Sequence, residues 1–149
     1  MIERLALFAN VLRDDGEDIL SAARKKDFAC KEILFSDGDP VREVIMLLSG
    51  RVKVTQTGLN GNEVILWLHR DGEIIGSGLR PDSANRRSTA LAVQPSTALV
   101  WEATAFEKLL HRVPAFRRNI MRALEERLRE MERGFREIST QESTIPRIL

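Results

Sequence analysis

Residues 43–57 read EVIMLLSGRVKVTQT, and residues 58–73 read GLNGNEVILWLHRDGE. The first stretch reads as a strand, a Ser-Gly turn and a second strand, in which Val52 and Val54 alternate with Arg51 and Lys53. Alternation with a period of two puts the valines on one sheet face and the cations on the other. The second stretch opens on an Asn-Gly turn, which favours a tight hairpin. It continues with Val64, Leu66 and Leu68, expected on one face. Downstream, STALAVQPSTALVWEA (88–103) holds two more strands parted by Gln-Pro-Ser. Upstream, DFACKEILFSDGDP (27–40) holds short apolar pieces closed by a Ser-Asp-Gly-Asp-Pro turn. Short strands at this spacing, punctuated by glycine, predict an antiparallel sandwich or barrel.

Helical patterns flank the strands. In IERLALFANVL (2–12), Leu5, Phe8 and Leu12 recur at helical spacing. In DDGEDILSAARKK (14–26), Asp15 is the expected N-cap, with Ile19, Leu20 and Ala23 on one face. TAFEKLLHRV (104–113) predicts a short helix capped at Thr104. Pro114 then opens a long helix over 114–140 at its first turn, where proline is tolerated. Along it Met121, Leu124, Leu128, Met131, Phe135 and Ile138 step by 3, 4, 3, 4 and 3, an a/d heptad seam. The seam predicts a parallel coiled coil and hence a homodimer; the alternative is a helix that buries both stripes inside its own domain. Phe116, Ile120 and Ala123 lie off the seam and are expected to face the barrel. Ser139 to Ser143 are expected to break the helix. Ile145, Ile148 and Leu149 then start a new apolar pattern, so the natural protein is expected to continue.

Composition narrows the function classes. The chain has 149 residues, 43% hydrophobic and 30% charged, which is ordinary for a globular domain. A formal net charge of +1 provides no global field for nucleic acid or an acidic membrane. The lone Cys30 can build neither an intramolecular disulfide nor a cysteine-only metal site, and implies a reduced thiol in a cytoplasmic protein. The first residues are too acidic for a signal peptide, and no apolar run is long enough for a bilayer span. His69 and His111 read as surface or packing residues. No Ser-His-Asp, Cys-His, H-E-x-x-H or P-loop pattern is present, and the glycines at 72, 76 and 78 do not form a dinucleotide fingerprint, so no enzyme is expected.

One feature points to a ligand. RRSTALAV (86–93) sets arginines and two hydroxyls at the mouth of an apolar strand, soon after the glycine-rich DGEIIGSG (71–78). A phosphate wants a planar cationic fork and short donors at its oxygens, with backbone N–H groups nearby.

Taken in order, the LLSGRVKV hairpin with Gly50, NGNEVILWLHRDGEIIG with Gly72 and Gly76, RRSTALAV and the heptad helix resemble the sensory domain of the Crp/Fnr family of bacterial transcription regulators, over residues 5 to 149. The resemblance implies a mainly β fold with flanking α: a jelly-roll (double-stranded β-helix) barrel and a long C-terminal dimerisation helix. It implies N-terminal helices and barrel over 1–112, a dimerisation helix over 113–140, and over 141–149 a hinge to a DNA-binding helix-turn-helix absent from this chain. DNA would be met only through that missing part, and RNA polymerase only by the full-length protein. Family members that bind a cyclic nucleotide hold its phosphate in a cassette running from a Gly-Glu pair to an Arg-Ser pair. Gly76, Ser77, Gly78, Arg87, Ser88 and Thr89 match that cassette, and Met131 and Glu132 fall at the base-facing positions of the helix. Two departures stand out. Ser77 replaces the glutamate that accepts the ribose hydroxyl, with Glu73 on the wrong side of Gly76 to substitute. Met131 and Glu132 replace two small hydroxyl residues, and Pro81 removes a backbone donor from the intervening loop.

Three readings of Arg87 follow: a noncanonical anionic effector, cyclic AMP itself, or a scaffold without nucleotide in which Arg87 pairs with Glu73 or Asp82. An iron–sulfur cluster is excluded by the single cysteine, and haem lacks an evident ligand. The alternative function is a ligand-free dimerisation scaffold or a regulatory interaction module, including one attached to a kinase or channel.

Overall fold

The computed structural model describes residues 5–76 and 85–143, the last nine of these as helix backbone. A 3-10 turn at Ala6–Phe8 precedes α1 (Arg13–Ser21). Seven strands follow among the described residues: β1 (Arg24–Phe28), β2 (Ile33–Phe35), β3 (Glu43–Ser49), β4 (Val52–Thr57), β5 (Glu63–His69), β6 (Thr89–Ala92) and β7 (Ser96–Glu102). Two helices close the chain, α2 (Ala103–Arg112) and α3 (Pro114–Ser143). The strands form two antiparallel sheets, ordered β1-β7-β3 and β2-β6-β4-β5. The expected antiparallel jelly-roll with a long C-terminal helix is what forms.

Two cores hold it. Phe28, Phe35, Ile45, Leu47, Val52, Val54 and Ala90 fill the space between the sheets. Val44, Met46, Leu99 and Trp101, on the other face of β3 and β7, pack with Ile19, Phe106, Phe116 and Ile120 from the helices. Both faces of β3 are therefore buried, which is why EVIMLL reads as continuous apolar sequence rather than alternation. An aromatic chain runs through the second core. Trp101 meets Phe106 at 5.3 Å, Phe106 meets Phe116 at 5.7 Å, and Phe116 meets Phe8 at 5.4 Å between ring centroids.

Several local expectations give way to tertiary contacts. Over residues 5–12 only Ala6–Phe8 coils, as a 3-10 turn rather than an α-helix: the Asn119 side chain donates to the carbonyls of Leu7 (2.9 Å) and Ala9 (2.7 Å), and Asn10 turns the chain at φ 61°. Helix α1 starts at Arg13, with Asp14 and Asp15 in its first turn, and α2 starts at Ala103; neither has a side-chain cap. In β5 a register shift after Val54 sets Trp67 and His69 opposite Val54 and Val52, and Leu66 packs against the core between the sheets. Val64 and Leu68 are exposed and Leu66 is half-buried. Helix α3 opens at Pro114 as expected but continues through Ser139–Ser143. Its off-seam residues Phe116 and Ile120 are buried against the barrel, whereas Met121, Leu128 and Met131 stay exposed and Leu124 is half-buried. The side chains of Phe135 and Ile138 lie outside the described residues.

Candidate functional site: the Gly72–Gly76 turn and its arginines

The turn after β5 lies across β3. Gly72 donates to Leu47, Leu47 to Glu73 and Ile75 to Ile45 through the backbone. Gly72 (φ 88°) and Gly76 (φ 76°) adopt left-handed conformations that other residues resist. At Gly76 space matters too: a Cβ would sit 3.0 Å from the Phe35 ring and 3.4 Å from Arg86 Nη1.

A polar network holds the turn. Glu73 Oε1 accepts from His69 Nδ1 (2.8 Å), Trp67 Nε1 (3.1 Å) and the Arg70 N–H (3.2 Å). An ionised carboxylate only accepts, so Nδ1 of His69 carries the proton and Nε2 accepts from the Gly76 N–H at 3.2 Å. From α3, Arg127 donates to the carbonyls of Gly76 (2.9 Å) and Ile74 (2.6 Å), with its guanidinium 6.0 Å from the Trp67 ring. Arg127 was absent from the sequence-based site. The signal for it was present, since Phe116, Ile120 and Ala123 continue at helical spacing to Arg127 on the barrel-facing stripe. Between this turn, the N-terminal segment and α3 lies a cavity of about 390 Å³, lined by Leu5, Trp67, Glu73, Leu124 and Arg127 among others.

Burial lowers the pKa of His69 below its ordinary 6.5; the Glu73 hydrogen bond and charge oppose this, while Arg127 reinforces it. Burial raises that of Glu73, but the hydrogen bonds from His69, Trp67 and Arg70 hold it below its ordinary 4.5. The signs fix a stability profile. A depressed histidine leaves the unfolded chain binding more protons, so the contribution of neutral His69 is complete above pH 6.5 and is lost as pH falls through its folded pKa. The contribution of Glu73 is complete above pH 4.5 and is lost below it. Urea unfolding at stepped pH is expected to show stability falling below pH 6.5, with that part of the slope absent in His69→Gln. An unchanged slope in the variant would remove His69 from the account.

The arginine that faces Gly76 is Arg86. It is 7% exposed, its guanidinium stacks 3.9 Å from the Phe35 ring centroid, and Nη2 donates to the Glu43 carbonyl at 2.6 Å. Its Nη1 is buried with no hydrogen-bond partner among the described residues. Burial lowers its pKa from arginine's usual value, and Glu43 and Asp39 partly restore it. Arg87 is exposed, its carbonyl accepting from Gln56. Glu73, considered above as a partner for Arg87, is committed to the His69 network. Ser88 and Thr89 are half-buried, and Thr89 Oγ1 accepts from the Asp37 N–H at 3.0 Å. Ser77, Gly78, Pro81 and Asp82 lie outside the described residues. Glu132 is exposed on α3, as is Met131. His111 is exposed on α2, and Cys30 is an exposed thiol. Among the described residues no cluster of His, Cys, Asp or Glu could hold a metal, and no helix is long and apolar enough to cross a membrane.

Comparison with known proteins bears on the family and the fold. Residues 25–113 match the family model described as "Cyclic nucleotide-binding domain". The "Cyclic AMP receptor protein" of Thermus thermophilus is 27% identical over 126 residues, covering 85% of this chain and 58% of that protein. "Electron transport regulator A" of Shewanella oneidensis is 31% identical over 119 residues, covering 79% of this chain and 46% of that protein. This chain thus spans about half the length of those relatives. Among solved structures, the Thermus thermophilus Catabolite Activator Protein superposes with a TM-score of 0.76 at 26% identity, over 90% of this chain and 63% of that one. From the matched residues 25–113, the chain belongs to the cyclic nucleotide-binding domain family, and it shares the jelly-roll and long helix of the Crp/Fnr-type regulators it resembles.

Proposed function

We propose that the chain is the effector-sensing and dimerisation part of a cytoplasmic Crp/Fnr-type transcription regulator, with no catalytic activity of its own. A small anionic effector, a cyclic nucleotide or a relative of one, is held beside Gly76. The observation that carries this reading is the buried Nη1 of Arg86, which has no partner among the described residues and faces that glycine. A buried guanidinium donor left without an acceptor is costly, and an anion would satisfy it. Within the cassette matched by Gly76, Ser77, Gly78, Arg87, Ser88 and Thr89, the guanidinium role passes to Arg86. The exposed seam of Met121, Leu128 and Met131 supports a homodimer in which residues 113–140 pair, and Met131 and Glu132 of that helix would face the bound base. Residues 141–149 would lead to a DNA-binding part, through which DNA and RNA polymerase are met. Arg127 would pass the state of the turn to the paired helices, since it holds two of the turn's carbonyls. An effector shifts such a dimer only by its difference in affinity for the two helix arrangements.

The ligand-free scaffold is the second reading. It is favoured by the engagement of Arg86 Nη2 with Glu43 and of the Gly76 N–H with His69. Calorimetry with cyclic AMP and cyclic GMP separates the two. Saturable binding is expected, weakened about 10- to 100-fold in Arg86→Gln, as for a lost charged hydrogen bond, and little changed in Arg87→Ala. No heat from either nucleotide would favour the scaffold. Loss in Arg87→Ala alone would return the role to that residue.

A further inference from the structure

His69 closes a contact that the effector reading does not use. It is 1% exposed, its Nδ1–H is given to Glu73, and its Nε2 receives the N–H of Gly76. The peptides on either side of the Ile75–Gly76 bond are fixed from elsewhere. Arg127 holds the carbonyls of Ile74 and Gly76, and the Ile75 N–H is bonded to Ile45. The Ile75–Gly76 peptide between them has its N–H fixed by His69, and Gly76 tolerates a wide range of φ. A proton on Nε2 would set two donors against each other across 3.2 Å.

We propose that His69 is a proton-operated positioning residue: neutral, it occupies the Gly76 N–H; protonated, it releases that donor to an anion held by Arg86, so that proton uptake and anion capture strengthen each other. The linkage to an anion rests on the effector reading above. The release of the peptide does not. The charged groups around His69 set the balance. Glu73 from the turn favours the imidazolium, and Arg127 from α3 opposes it. Arg86, across Gly76 from the segment before β6, supplies the cation that the anion neutralises. Trp67 on β5 is neutral and shares Glu73. The linkage has one sign: affinity for an anion rises as pH falls toward the folded pKa of His69 and levels off below it, and a bound anion moves that pKa up.

The test is nitrogen-labelled NMR of the whole chain from pH 8 to pH 5, with calorimetric titration of cyclic AMP, whose phosphodiester charge is constant over this range. The Gly76 amide resonance is expected to move with the midpoint of the His69 ring, and cyclic AMP affinity to rise by up to about tenfold per pH unit as pH falls toward that midpoint and to level off below it. In His69→Gln both are expected to be flat. Should that variant fail to fold, Glu73→Gln serves instead: with the carboxylate charge gone, the two midpoints must shift down together. A Gly76 amide indifferent to the His69 titration overturns the proposal, as does equal cyclic AMP affinity below the His69 midpoint and two pH units above it. Shared midpoints without cyclic AMP binding at any pH would support the release by His69 and count against the effector reading alone.

Discussion

Gly50→Ala is expected to cost the barrel about 3 kcal/mol or more, a large share of the stability of a domain this size. Gly50 forms the turn between β3 and β4 at φ 122°, where a Cβ is strained before any neighbour is considered. The neighbour makes it worse. A Cβ there would overlap Ser96 Oγ and lie 2.6 Å from Ser96 Cβ and 2.7 Å from its backbone Cα. Ser96 begins β7, whose pairing with β3 on one side and β1 on the other leaves it nowhere to retreat. Its hydroxyl also accepts from the Arg51 N–H, and the Gly50 N–H is held by Asp71 of the Gly72–Gly76 turn region. Urea denaturation should show the midpoint falling sharply with the slope unchanged. Adding Ser96→Gly removes the side-chain overlaps but not the backbone one, so recovery should be partial. A single Gly50→Ala protein as stable as the parent would contradict the packing described.

Trp101→Ala is expected to cost about 3–5 kcal/mol from the lost packing. Trp101 has no exposed surface, and its Nε1 donates to the Ile19 carbonyl at 2.7 Å. Its loss opens a cavity at the head of the aromatic chain through Phe106 and Phe116 to Phe8, and orphans the Ile19 carbonyl. Trp101→Phe keeps much of the area and loses the hydrogen bond, so it should cost roughly 1–3 kcal/mol. Thermal unfolding ranks the two. Equal losses would mean that the hydrogen bond, not the packing, carries the effect.

The parts of the fold visible in the sequence are those set by local period. Val52 and Val54 announce an inward face, Pro114 a helix start, and Phe116 and Ile120 the stripe of α3 that meets the barrel. Arg86 was missed because its direction does not follow strand alternation. It precedes β6, and its backbone is paired to the Ser36–Asp39 turn: its N–H donates to Asp39, and its carbonyl accepts from Gly38. That pairing, not the Arg-Ser spelling, decides which of two adjacent arginines turns inward. His69 read as an ordinary packing residue because the register shift that sets Trp67 and His69 opposite Val54 and Val52 has no sequence mark. The N-terminal helix failed for a similar reason, since Asn119, over a hundred residues away, claims carbonyls that a helix would have used.

The anchoring of α3 is uneven, and this gives it leverage. Up to Ile120 the helix is part of the core; from there to Ser143 it runs on for about 35 Å. A rod clamped at one end magnifies angle into distance. Pivoting by about 5° at Ile120 carries the far end about 3 Å. Arg127 grips the Gly72–Gly76 turn one to two helical turns beyond that fulcrum, so sub-ångström rearrangement of two carbonyls there is multiplied severalfold at the tip.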